Sequence, residues 1–310
     1  MPVKYVINGY FRSGTTMLYD AVSDALGDQS FSFYEPCYPK LGLVIRNEEA
    51  VQKTDPLHGK KIWREYHRLD DSRRNDILRN HPNTSGAGIQ NDPAFLNYIH
   101  QFHSIPEPVF LQTNRYHFFL DVVFKEFHIP VAHVIRNPIH VYESICAAYF
   151  SSVSPAKKII RRITQRYTMK NFFGLENEFD WIVRHTGFPL VIYNNWRLRH
   201  FSPPDYFTKF VVVWIVSNYY ALRSIEKNNG RLLIYEQLLS NPEKEFGQLS
   251  QYFGFSIKSP AMKPQKQPAD IHMMSRFEKV VENYKLLPLW EYICTQTEKQ
   301  GITYSHSNRS

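Results

Sequence analysis

The stretch KYVINGYFRSGTTML, Lys4 to Leu18, decides how the rest of the chain is read. Val3, Tyr5, Val6 and Ile7 form an apolar, β-favouring run and predict a buried strand. Gly9 to Gly14 then interrupts any regular pattern. From Thr15 on, Leu18, Ala21, Val22, Ala25 and Leu26 recur at helical spacing and predict a helix. A strand, a glycine-bounded loop and a helix start, in that order, make an anion site. The loop amides and the positive end of the helix converge on one spot.

The phosphate-binding pattern GxxxxGK[ST] tests this spacing. Gly9, Gly14 and Thr16 fit it, and Thr15 stands where the lysine belongs. A kinase or ATPase places that lysine on the β- and γ-phosphates. Its absence, and the lack of a convincing strand-end carboxylate for a metal, argue against a kinase using ATP and Mg²⁺. Arg12, inside the loop, still brings a charged fork to a phosphate. The stretch therefore reads as a loop for one phosphate with something transferable attached. A purely structural strand–turn–helix is the alternative for these residues taken alone.

The same alternation continues along the chain. Val109–Gln112, Val131–Ile135 and Arg231–Ile234 are further short apolar runs that predict buried strands. Helical patterns lie between and around them, over Leu69–Arg79, Pro93–Phe102, His117–Phe127, Ile139–Phe150, Tyr206–Glu226 and Pro242–Phe253. Leu41–Lys61 is weakly patterned, and His81–Asn91 reads as a loop. The last fifty or so residues read as a loop followed by helices from Ser275 to about Lys299. Buried strands alternating with helices predict an α/β fold: a P-loop-like three-layer α/β/α arrangement, with a central parallel sheet and helices on both faces. The 310 residues, 43% hydrophobic and 15% aromatic, suffice for one such domain over residues 1–310, with an insertion or lid around 151–205.

A net charge of +8 suits an anionic cofactor, an acidic substrate or a membrane surface, and no nucleic-acid motif accompanies it. Residues 155–170 carry Lys157, Lys158, Arg161, Arg162, Arg166 and Lys170 without an acid. Ile159, Ile160 and Ile163 give the segment an apolar side. It reads as a basic amphipathic helix for a membrane or polyanion, or as a solvated lid. Cys37, Cys146 and Cys294 form neither a zinc pattern nor a disulfide framework, which suggests a reducing compartment. With no signal-like start and no run able to span a bilayer, the expected location is cytoplasmic.

Two further constellations support the first. Arg136 leaves the strand Val131–Ile135, and Ser144 follows eight residues later in the next helix. An arginine at the carboxyl end of a parallel strand faces a ligand crevice, and Arg with Ser suits a terminal phosphate. Tyr235-Glu236-Gln237-Leu238 follows the strand Arg231–Ile234. Tyr235 is a stacking candidate there, or simply a core tyrosine.

Taken in order, these three motifs resemble the sulfotransferases that use PAPS, 3′-phosphoadenosine 5′-phosphosulfate. The resemblance covers roughly residues 3–255. That family shows Pro, Lys or Arg, Ser, Gly, Thr, Thr after its first strand, and Phe11, Arg12, Ser13, Gly14, Thr15 and Thr16 stand here. The resemblance implies that Arg12, Ser13, Gly14, Thr15 and Thr16 hold the 5′-phosphosulfate. It implies that Arg136 and Ser144 hold the 3′-phosphate and that Tyr235 lies near the adenine. Trp214 matches a recurrent family tryptophan and reads as core. Phe11 replaces a proline, Asn137 an aspartate and Gln237 an aspartate. The family's late glycine-rich basic segment is missing, with Ser275, Arg276 and Lys279 as possible substitutes.

Sulfuryl transfer needs a held phosphate leaving group, a base and in-line reactants, and this scheme requires no metal. Arg12 and the loop amides serve the leaving group. Glu35 is the favoured base, because relatives of bacterial and carbohydrate-acting type place a glutamate soon after the first helix, often before proline. Glu35 is expected in extended backbone ahead of Pro36, and burial among Phe33, Tyr34 and Tyr38 is expected to raise its pKa. His117 and His103 are the rival bases. Asn114 stands where eukaryotic cytosolic members carry a histidine. The implied activity is transfer from PAPS to a hydroxyl, or as second choice an amine, on a small molecule, carbohydrate or lipid. A non-catalytic binder of anionic glycan or lipid remains the alternative within the same fold.

Overall fold

A computed structural model gives the fold; it describes residues 4–55, 60–82, 93–151, 174–186, 205–262 and 270–304. The opening apolar run is a strand, β1 (Lys4–Gly9), and Thr15–Leu26 is the helix that its pattern predicts, α1. Then come β2 (Phe31–Tyr34), α2 (Leu41–Ile45), α3 (Glu48–Gln52), α4 (Glu65–Arg68), α5 (Asp71–Asn80) and α6 (Pro93–His103). Next are β3 (Val109–Thr113), α7 (Leu120–Phe127), β4 (Val131–Ile135), α8 (Pro138–Ser151), α9 (Leu175–His185) and α10 (Tyr206–Lys227). β5 (Arg231–Ile234), α11 (Tyr235–Ser240), α12 (Pro242–Phe253), α13 (Ile271–Asn283) and α14 (Leu287–Glu298) complete the described elements.

The strands form one five-stranded sheet in the order β2-β3-β1-β4-β5, with every pairing parallel. Central β1 pairs Asn8 with Thr113 on one side and with His133 on the other. The chain turns to opposite sides of β1 on either side of its carboxyl end, which makes that end the switch point where such sheets bind ligands. Tyr10–Gly14 is the connection at that point.

The sheet is buried on both faces. Tyr5, Ile7, Phe110, Ala132, Val134 and Leu233 pack one face against Leu18 and Val22 of α1, Leu238 of α11 and Phe246, Leu249 and Phe253 of α12. Val6 and Asn8, pointing the other way, are also fully covered. Continuous burial explains why these strands read as unbroken apolar runs rather than alternating ones.

Three local differences from the sequence reading have simple causes. Phe31–Tyr34 is an added edge strand, because its register along β3 satisfies a ladder that so short a segment cannot announce alone. The weakly patterned Leu41–Lys61 contains the short helices α2 and α3, the second capped by Asn47 accepting from the Ala50 amide. α7 begins at Leu120 rather than His117, because His117 and Tyr116 are held by Asn8 instead.

The chain divides into two compact units: Met1–Ile135 with Arg223–Pro264, and Arg136–Leu222 with Gln265–Ser310. The first holds the sheet. In the second, Trp214, Phe277 and Trp290 form a ring cluster, with Phe277 and Trp290 centroids 4.8 Å apart. Trp214 is fully buried, as the core reading expects. Lys209 and Glu176 form an ion pair of 2.6 Å there. The basic segment 155–170 lies outside the described residues. Among the described residues no helix is long and apolar enough to cross a membrane.

Candidate active site

The Tyr10–Gly14 loop is shaped by its backbone. The Ser13 amide donates to the Tyr10 carbonyl at 3.1 Å, and Arg12 and Gly14 both take positive φ, 66° and 95°. Arginine in that region is strained and persists where surroundings enforce it. Gly14 is required twice over. Its φ disfavours any side chain, and a Cβ there would meet the Tyr235 ring at 2.4 and 2.5 Å. Gly9 is required by closeness to β4, since its Cβ would meet Val134 at 2.4 Å.

No side chain caps the N-terminus of α1, so its leading amides are left for a ligand or solvent. Ser13 is completely buried, and its Oγ has no hydrogen-bond partner among the described residues. A buried hydroxyl without a partner costs free energy, so its presence beside an uncapped helix start marks a place built for an acceptor. Arg12 and Thr16 stand with Tyr34. Burial pushes the Tyr34 phenol up, while its hydrogen bond with the Thr16 hydroxyl and the positive charge of Arg12 act against that rise.

Glu35 lies at the carboxyl end of β2 and is 4% exposed. It is not extended as the residue order suggests: φ is 45°. Its amide donates to the Gln112 carbonyl at 2.8 Å, and its carbonyl accepts from Tyr38 at 2.8 Å, so the chain turns sharply as it leaves the sheet. The phenols of Tyr34, Tyr66 and Tyr116 feel the Glu35 charge, and polar side chains hold it as well. The Arg115 guanidinium donates through Nη1 to Oε2 at 3.0 Å, and Asn114 Nδ2 donates to Oε1. The guanidinium and the amide together fix the direction of the carboxylate. Arg115 is itself buried and lies over the Phe11 ring at 4.6 Å. Phe11, the residue in place of the family's proline, thus serves as the shelf for that guanidinium.

Sequence reasoning missed Arg115 and read Asn114 only as a lost base. The signal was available: Arg115 follows a buried parallel strand, the argument already used for Arg136. Asn114 joins the loop to Glu35, because its Oδ1 accepts from Thr15 Oγ1 at 3.0 Å and from Gln112 Nε2 at 3.1 Å.

The rival histidines are placed differently. Asn8 Oδ1 accepts from the Tyr116 amide at 3.1 Å, which turns Nδ2 toward Nδ1 of His117 and of His133, each at 3.0 Å. That network assigns the proton of each ring to Nε2. Burial pushes His117 well below the ordinary imidazole value, and His133 beside it adds to the effect. A buried neutral ring whose basic nitrogen is already occupied is poorly set to take a substrate proton. His103 ends α6 ahead of β3 and packs on Phe127, ahead of β4, at 5.1 Å. That is the amino-terminal edge of the sheet, opposite the loop.

Tyr235 opens α11 and lays its ring on Gly14. Arg136 directly follows β4, and Ser144 lies on α8; both are half-buried and belong to the second unit. Asn137 Oδ1 accepts from the Ile139 amide at 2.9 Å, so it starts α8 as the usual aspartate would. Ser275 and Lys279 are exposed on α13, while Arg276 pairs with Asp205 and lies over Phe207 at 4.4 Å. Among the described residues no group of three or more His, Cys, Asp or Glu could hold a metal ion.

Residues 2–303 match the family model described as the sulfotransferase domain. An uncharacterized protein of Archaeoglobus fulgidus is 26% identical over 312 residues, covering 93% of this chain and 96% of that one. Among solved structures, the sulfotransferase domain from the curacin biosynthetic pathway is 14% identical, with a TM-score of 0.44, over 88% of this chain and 82% of that chain. The sulfotransferase domain of the Synechococcus PCC 7002 olefin synthase is 13% identical, with a TM-score of 0.42, over 93% and 94%.

Proposed function

The chain belongs to the sulfotransferase family, and from that premise we propose that it moves the sulfuryl group of PAPS to a hydroxyl acceptor. The observation that carries the donor reading is Ser13: a fully buried hydroxyl with no hydrogen-bond partner among the described residues, set in a loop between a strand and an uncapped helix. A phosphate oxygen supplies the missing acceptor. The amides at the start of α1 and the Arg12 guanidinium add donors and positive charge where the leaving phosphate gains negative charge. Thr15 and Thr16 complete the loop. By family membership Arg136 and Ser144 are assigned to the 3′-phosphate, and Tyr235 to the adenine with the ring face turned away from Gly14.

Glu35 is assigned the base role. Its two oxygens are held by Asn114 and Arg115, which fix the direction of the carboxylate assigned to take the acceptor's proton. Arg115 stabilises the anion before transfer and fixes its direction. The residues use no metal in this scheme. The acceptor is an alcohol on a small molecule, a carbohydrate or a lipid.

Titrating the protein with PAP, the desulfated product, tests the donor reading. Micromolar binding that weakens at least tenfold in Arg12→Ala is expected, with 5′-AMP bound much more weakly. Equal binding of PAP and 5′-AMP would overturn the 3′-phosphate assignment. Poor PAP binding that is indifferent to Arg12→Ala would favour a non-catalytic binder. Once an acceptor is found by labelling with PAPS, wild-type turnover in Glu35→Gln would remove Glu35 from the base role.

A further inference from the structure

We propose that Asn114 is a positioning residue that ties the phosphate loop to the carboxylate at the base position, so that donor seating and Glu35 orientation are set by one side chain. The inference rests on the donor and base roles given above, and it concerns a residue to which the family motifs assign nothing in this chain.

The hydrogen bonds fix the direction of the link. Asn114 Oδ1 receives the Thr15 hydroxyl at 3.0 Å and the Gln112 amide at 3.1 Å. Two donors on one atom identify it as the amide oxygen, so Nδ2 is the end that donates to Glu35 Oε1. Asn114 is 5% exposed, Thr15 3% and Glu35 4%, so water does not compete for these bonds. Thr15 is the first residue of α1 and follows Gly14, whose Cα faces the Tyr235 ring. Its Cγ2 sits over Gly9, in the space that a side chain there would need, 2.8 Å from the position a Cβ would take. Fixing the Thr15 hydroxyl therefore fixes the loop's exit into the helix, where the leading amides must aim at the phosphate.

A histidine at this place would be a base itself. An asparagine cannot take a proton at neutral pH, yet its amide offers an acceptor to Thr15 and, through a separate atom, a donor to a carboxylate. The substitution that removes one possible base thus supports another.

The test is a double-mutant cycle read by PAP titration well below the unfolding temperature. Thr15→Val and Asn114→Ala each delete the same bond, so each is expected to weaken PAP about three- to tenfold, with the double variant no weaker than the worse single. Multiplied losses in the double variant would overturn the link, as would PAP affinities unchanged from wild type. A purely structural Asn114 lowers the melting temperature and leaves PAP affinity alone. The second arm needs no ligand: the same cycle, and that of Asn114→Ala with Glu35→Gln, read by melting temperature. Non-additive shifts in both pairs support the link, and additive shifts overturn it. Failure of wild-type protein to bind PAP would refute the donor reading instead, with the melting arm still deciding whether the link exists.

Discussion

Replacing Arg115 by Met removes the cation beside Glu35 and keeps a flexible apolar stem on the Phe11 ring, so it isolates the charge. The pair is closed at 3.0 Å, with side chains only 7% and 6% exposed. At that separation an effective dielectric of about 20 gives roughly 5–6 kcal/mol of attraction, most of it offset by the desolvation of both ions. The net worth of the pair is therefore small, and the cost of breaking it is large, because an anion is left buried without its partner. A loss of about 3–5 kcal/mol is expected for Arg115→Met. Adding Glu35→Gln should recover most of that loss, leaving roughly 1–2 kcal/mol. The assay is urea unfolding at several pH values. Protonation neutralises a carboxylate that lacks its cation, so the Arg115→Met deficit should shrink as pH falls from 7 toward 5. A deficit under about 1 kcal/mol, or one that simply adds to that of Glu35→Gln, would refute the buried-pair reasoning.

Three other outcomes follow from particular contacts. Gly14→Ala puts a methyl at 2.4–2.5 Å from Tyr235 and forces an L-residue to φ 95°. It should lose about 1–2 kcal/mol from the backbone alone and weaken PAP at least tenfold, with Tyr235→Ala relieving only the clash; unchanged PAP affinity would contradict the loop geometry. His117 is held neutral, its folded value depressed below the ordinary 6.5 by burial. Below that pH the unfolded chain binds the extra proton, so wild-type stability is full above pH 6.5 and falls as pH drops through it, by up to about 1.4 kcal/mol per pH unit. His117→Gln should flatten that slope in unfolding measurements from pH 7 to 5, and an unchanged slope would place the titration elsewhere. Phe277, fully buried against Trp290 at 4.8 Å and Trp214 at 6.5 Å, should cost about 3–5 kcal/mol when cut to Ala in thermal or urea unfolding; a loss below about 1 kcal/mol would mean that the cluster collapses around the gap.

The linear order of residues was enough for the architecture. Strands buried on both faces are mostly apolar, so Tyr5–Ile7 and Val131–Ile135 announce themselves, as does the apolar run of the edge strand Arg231–Ile234. Local spacing likewise carried the strand–loop–helix turn, because Gly9, Gly14 and the start of α1 are neighbours along the chain and their backbone constraints are local. Pro242–Phe253 was bounded by its own Asn-Pro start and Gly254 stop.

What depends on distant residues became visible only when the chain was folded. Asn114 and Arg115 meet Glu35 across roughly eighty positions, and Asn8 reaches His117 and His133 across more than a hundred. No pattern of spacing encodes such a meeting, because it is created by β3 lying between β2 and β1. The partners of a side chain decide its chemistry: Glu35 looked like a carboxylate among aromatics, His117 like a possible base, and Asn114 like a loss. Sheet order placed a guanidinium on the first, an amide on the second and two hydrogen-bond roles on the third. The sequence determined that a glycine-bounded loop joins the first strand to a helix here, and the tertiary structure decided which charged and polar groups surround it.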